Sequence, residues 1–134
     1  MEPSQHSISM LIVEDEKVIR EVMGVMIFRR FPDISTSFAE NGAMGVELFK
    51  KHLPEIVITD IKLPVMDGIE MARQIKSMQS GTKFIVLTAF SNASYHEKFN
   101  KIGFHDFLTK PIEFEKLFAA IEKCSAEIGT EADR

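Results

Sequence analysis

The stretch IVITDIKLPVMDGIEMARQIKSM, residues 56–78, decides the fold. Ile56–Thr59 is wholly β-branched and predicts a strand, which ends where the Pro- and Gly-bearing segment Leu63–Gly68 begins. Met71, Ala72, Ile75 and Met78 then recur on one face at helical spacing. Strand, turn and helix follow one another in a single short run, and the same alternation extends in both directions.

Toward the N-terminus, Ala43–Lys51 reads as helix and Ile34–Phe38 as strand. Val18, Ile19, Val22, Met23 and Met26 repeat at helical spacing until Phe31-Pro32 stops the helix, and Ile8–Val13 is a nearly continuous apolar strand. Toward the C-terminus, Phe84–Leu87 and Asp106–Thr109 read as strands that bracket a weakly amphipathic helix, Asn92–Lys101. Phe114, Leu117, Phe118, Ile121, Cys124 and Ile128 stripe a last helix. Five βα units in succession imply an α/β fold: a parallel sheet covered on both faces, because right-handed crossovers place the helices there.

Composition sets the outer bounds. The chain has 134 residues, 45% apolar and 27% charged, which suits one domain with a core that needs no metal or disulfide staple. The single Cys124 cannot bridge internally and points to a reducing, cytoplasmic setting. No apolar run approaches a membrane span, and the first residues, MEPSQHS, lack the basic and apolar parts of a signal peptide. A net charge of −4 without a basic stripe argues against direct nucleic-acid binding. The four His residues are scattered, none at ligand spacing, and the eight Met residues read as core filler. Residues 1–6 and 129–134 have the polar composition of flexible termini or a linker stub.

In an open parallel sheet the ligand crevice lies beyond the carboxyl ends of the strands. Glu14-Asp15-Glu16, Asp60, Thr88 and Lys110-Pro111 all fall there. Carboxylates crowded into one crevice repel one another, and a hard cation such as Mg2+ relieves the repulsion. With a lysine and a hydroxyl added, the set suits phosphoryl transfer. Each residue also has a plain structural reading, Asp15 as cap of the first helix and Asp67 as cap of the third, but jointly the chemical reading prevails.

Taken together, LIVEDE (residues 11–16), ITDIKLPVMDGIEM (58–71), IVLTA (85–89) and DFLTKP (106–111) resemble the receiver domains of two-component response regulators. The resemblance runs from Ser9 to Cys124 and implies a receiver domain over residues 7–128. Its fold would be flavodoxin-like and doubly wound, with five parallel strands in the order 2-1-3-4-5 and five helices. It implies that Asp60 accepts a phosphoryl group from a sensor histidine kinase or phosphotransfer protein. Mg2+ would be held by Asp15 and Asp60 directly, by Glu14 through water, and by the backbone carbonyl of Lys62. Lys110 would pair with phosphoryl oxygens, the Ala89 N–H would donate to them, and the Lys110-Pro111 bond would be cis. Thr88 and Phe107 would form the switch that moves the fourth helix, fifth strand and fifth helix toward a downstream effector. Lys62 and Phe90 would cover the approach of water and lengthen the life of the phosphoryl group. The chain would be a monomer or a weak phosphorylation-dependent dimer, and no turnover enzyme.

Departures from the family pattern are Phe104, in Gly103-Phe104-His105-Asp106, where a small residue is usual, and Phe107, which has no phenolic hydroxyl. Two other readings are weighed. Haloacid-dehalogenase-like phosphatases use an Asp nucleophile with Mg2+, but place Asp-x-Asp where this chain has Asp60-Ile61-Lys62. A phosphorylation-independent pseudo-receiver would have lost the acidic pair, the acceptor or the lysine, and all are retained here.

Overall fold

The computed structural model describes residues 8–89 and 93–132. Five parallel strands lie in the order β2-β1-β3-β4-β5. They are β1 (Ser9–Val13), β2 (Ser35–Ala39), β3 (Ile56–Asp60), β4 (Lys83–Thr88) and β5 (Asp106–Thr109). The helices are α1 (Lys17–Arg30), α2 (Gly42–His52), α3 (Gly68–Met78), α4 (Ala93–Ile102) and α5 (Phe114–Ala132). Fold class and strand order are those expected. Asn92, the expected start of the fourth helix, lies outside the described residues.

Strand alternation sorts the core into two layers. Met10, Ile12, Ile56, Ile58, Ile85 and Leu87 pack on one face with Met23 and Ile27 of α1 and Leu117, Ile121 and Cys124 of α5. Leu11, Val13, Val57, Phe84 and Val86 pack on the other with Phe49 of α2, Met71, Ala72 and Ile75 of α3, and Phe99 of α4. Both faces of the central strands are buried, which is why their sequences run apolar without alternation.

Several local expectations are corrected. Glu16, rather than Asp15, is the N-cap residue of α1, and its side chain makes no capping bond. Val18 and Val22 face solvent while Met23 and Ile27 are buried, because α1 is apolar on its outer side as well. Residues from Gly129 onward, read as a frayed end, continue α5 as far as Ala132. A polar turn extends a formed helix readily, since each added residue closes one backbone bond without a new nucleus. Asp67 does cap α3, accepting the Glu70 N–H at 2.9 Å.

The β3–α3 loop is fixed by two close backbone approaches. A Cβ on Gly42 would lie 2.0 Å from the Met66 carbonyl oxygen, and one on Gly68 2.2 Å from that of Asp60. Only glycine permits these approaches. They seat the loop against α2 on one side and against the end of β3 on the other.

Candidate functional site

Glu14 follows β1, Asp60 ends β3 and Lys110 follows β5, all at the carboxyl edge of the sheet. Their positions in the alternation continue those of Ile12, Ile58 and Leu108, so the three side chains emerge toward the same layer. There they meet. The Lys110 ammonium donates to Asp60 Oδ2 at 2.6 Å and to Glu14 Oε1 at 3.0 Å. Asp60 Oδ1 accepts the Ile61 N–H at 2.7 Å, and Glu14 Oε2 accepts the Glu16 N–H at 3.1 Å. Asp60 is only 9% exposed and Glu14 is fully buried, whereas Asp15 faces solvent.

Burial pushes the Glu14 carboxyl above its ordinary range, even though the Glu16 amide and the Lys110 ammonium favour its charged form. Burial also disfavours the Lys110 ammonium, but hydrogen bonds and charges from Asp60 and Glu14 outweigh it and hold its pKa above the usual value. The cluster is one shared electrostatic unit in which a single cation faces two inward carboxylates.

Glu14, Asp15 and Asp60 each offer a carboxylate oxygen, all within 4.8 Å of one another. Hard, clustered oxygen donors at a partly open edge fit Mg2+, which keeps several waters and needs few protein ligands. Lys62 is exposed beside Asp60 in the loop after β3.

Thr88 and Phe107 belong to the other layer. Phe107 pairs with Val86 across β4 and β5, and Thr88 lies two residues beyond Val86 on the same face. They are therefore diagonal cross-strand neighbours. Thr88 is buried at 3% exposure, and its carbonyl accepts the Lys110 N–H at 2.8 Å, tying the ends of β4 and β5 together. Ala89 is exposed at the strand end, and the Lys110-Pro111 peptide is cis. Phe90 lies outside the described residues.

The structure thus brings Glu14, Asp60 and Lys110 into contact and sets Asp15 beside them, while Thr88 and Phe107 share the opposite layer. Sequence reading missed the direct Glu14–Lys110 contact, because residues 96 apart in the chain carry no local signal of pairing. It also missed Arg20, whose guanidinium donates to the Glu14 carbonyl at 2.8 Å and steadies the acidic turn.

The sequence model of the response regulator receiver domain matches residues 10–122. This chain belongs to that family. It is 32% identical to the chemotaxis protein CheY of Bacillus subtilis over 84% of this chain and 93% of that protein. The N-terminal domain of an uncharacterized protein from Wolinella succinogenes superimposes with a TM-score of 0.83 at 35% identity, covering 95% of this chain and 99% of that one. The receiver domain of Ssk1 from Saccharomyces cerevisiae, crystallised with the histidine phosphotransfer signaling protein Ypd1, matches with a TM-score of 0.81 at 28% identity, covering 92% of each chain. The chain spans about a third to a half of the length of other curated relatives it matches.

Receiver domains are signalling domains of two-component systems rather than turnover enzymes, and the family binds Mg2+ at an acidic pocket. The phosphatase and pseudo-receiver readings are not favoured. No helix among the described residues of this receiver domain is long and apolar enough to cross a membrane.

Proposed function

We propose that Asp60 is the phosphoacceptor of this receiver domain. Asp15 and Asp60 would hold Mg2+ directly, with Glu14 reaching it through water and the Lys62 backbone carbonyl adding a further oxygen. The observation that carries this reading is the Lys110 ammonium, 2.6 Å from Asp60 and 3.0 Å from Glu14 where the carboxylates converge. A site built this way holds a nucleophilic carboxylate beside a fixed cation and supplies charge neutralisation, the main demand of phosphoryl transfer.

In the forward step an Asp60 carboxylate oxygen attacks the phosphorus of a phosphohistidine on a sensor kinase or phosphotransfer protein. The O–P bond forms, the P–N bond breaks, and the imidazole nitrogen leaves with the electron pair. When bound, Mg2+ would supply charge neutralisation for the transferring oxygens. Lys110 pairs with one phosphoryl oxygen, and the Ala89 N–H donates to another. The new dianion draws the Thr88 hydroxyl toward it, and Phe107 repacks into the space released, altering the α4–β5–α5 face for an effector. Lys62, exposed in the loop after β3, covers the water approach and prolongs the modified state, in a cytoplasmic setting.

The test is labelling with acetyl phosphate and Mg2+. Wild type should take up one acid- and base-labile phosphoryl group per chain, and Asp60→Asn should take up none. Undiminished labelling of Asp60→Asn defeats the assignment, and sustained multiple turnover would return the reading to a phosphatase.

A further inference from the structure

Helix α4 is lightly anchored. Among its described side chains Phe99 alone is fully buried, with Tyr95 and Ile102 partly buried beside it. Aromatic contacts add to its hold on the sheet. The exposed His96 places its ring centroid 4.9 Å from that of Phe107 and 5.1 Å from that of Phe104. Phe104 lies 5.4 Å from Phe107 in an edge arrangement, and Phe99 lies 6.5 Å from it. All four distances fall in the range where ring pairs attract beyond their buried area. The Gly103 N–H donates to the Phe99 carbonyl at 2.7 Å, and Gly103 itself has a φ of 103°, which turns the chain so that Phe104 folds back over the seam. Phe107 is therefore gripped from α4 by His96 and Phe99 and from its own turn by Phe104.

We propose that Phe104 and His96 are positioning residues that clamp Phe107 and hold α4 on β5, so that the response to phosphorylation of Asp60 has to open this clamp. The proposal rests on the reading of Asp60 as phosphoacceptor and of Thr88 with Phe107 as the coupled pair. Phe107 cannot leave its place without separating from rings on two elements. Contacts present only in the clamped arrangement oppose the phosphorylated one, and by linkage their removal favours binding of a phosphoryl mimic at the distant carboxylate. With a small residue in place of Phe104 the grip on that side of Phe107 would be absent, so this chain carries a stiffer switch than its strand topology alone requires.

The experiment combines backbone hydrogen exchange of the unliganded chain with a beryllofluoride titration in Mg2+, read from Asp60 and α4 amides by NMR. Phe104→Ala should speed exchange of α4 amides about tenfold relative to α1, and should lower the half-saturating beryllofluoride concentration about three- to tenfold. His96→Ala, at an exposed position that the fold tolerates, should move both readouts in the same direction by about two- to threefold. Phe104→Tyr keeps the ring and should behave as wild type. Unchanged α4 exchange, or unchanged or weaker beryllofluoride affinity, in Phe104→Ala overturns the clamp. Should that variant fail to fold, the same results in His96→Ala overturn it. Absence of beryllofluoride binding by wild type instead overturns the phosphoacceptor reading, and with it the gating, while the exchange result still decides whether the seam holds α4.

Discussion

Replacing Gly68 by alanine should damage stability and chemistry together, because the first residue of α3 rests on the backbone of the acceptor itself. An added Cβ would stand 2.2 Å from the Asp60 carbonyl oxygen and 3.1 Å from the Ile61 Cα, both backbone atoms that no rotamer change can clear. Ordinary contact begins near 3.4 Å, so α3 or the end of β3 must move by about 1.2 Å. A shift of that size also breaks the bond from the Gly68 N–H to the Ile61 carbonyl, now 2.8 Å. Overpacking costs about 1–3 kcal/mol and the lost bond about 1, while alanine's better helix propensity returns up to about 1. The net expectation is a loss of about 1–4 kcal/mol, a fall of roughly 1–2 M in the urea midpoint. The displaced Ile61 N–H holds Asp60 Oδ1 at 2.7 Å, so the carboxylate turns with it. Misplacement on the order of 1 Å costs about 100-fold in a positioned reaction, and acetyl phosphate labelling should slow by about 10- to 100-fold. Gly81→Ala is the control, since its Cβ would meet nothing within 4 Å. If Gly68→Ala stays within about 0.5 kcal/mol of that control and labels within about threefold of wild type, the reasoning fails.

Removing the central cation should separate binding from chemistry: Lys110→Gln leaves two inward carboxylates less neutralised, so calorimetry should find Mg2+ bound about fivefold more tightly while labelling of Asp60 slows. Weaker Mg2+ binding in that variant would contradict the placement of the cluster. Val65, 83% exposed at φ 69°, sits between the Pro64 carbonyl and the Met66 N–H, 2.7 Å apart, in a conformation costly for a β-branched residue. Val65→Asn should raise stability by about 0.5–1.5 kcal/mol in urea unfolding, since asparagine tolerates that region and little packing is lost. Burial raises the Cys124 thiol to about 11 from 9.0, so the native thiol stays protonated where the unfolded one ionises. Its contribution is whole below pH 9 and is lost as pH rises to about 11, so the stability difference between wild type and Cys124→Ala should shift by about 2.5 kcal/mol over that window, against wild type. Alkylation of the native thiol at pH 8 should be slow and should track unfolding.

Much of this molecule was readable without coordinates, for one physical reason: a chain in a doubly wound sheet declares its elements by local period. β-branched runs such as Ile56–Thr59, the 3.6-residue stripe of α3, and the Pro-Gly loop between them each depend on neighbours only a few residues away. Strand order then places Glu14, Asp15, Asp60, Thr88 and Lys110 at one edge before any distance is known. What tertiary structure alone decided are the relations between residues far apart in sequence. Lys110 bonds Glu14 and Asp60 across 96 and 50 positions, and Glu14 turns inward while Asp15 faces solvent. Gly42 and Gly68 matter through backbone atoms of another element, which their own neighbours cannot announce. The grip of His96 and Phe104 on Phe107 is likewise invisible in a sequence where Phe104 reads only as an unusual turn residue. Hydrophobic period is a one-dimensional property of the chain, whereas a contact between side chains from separate elements exists only once the sheet has set their distance and direction.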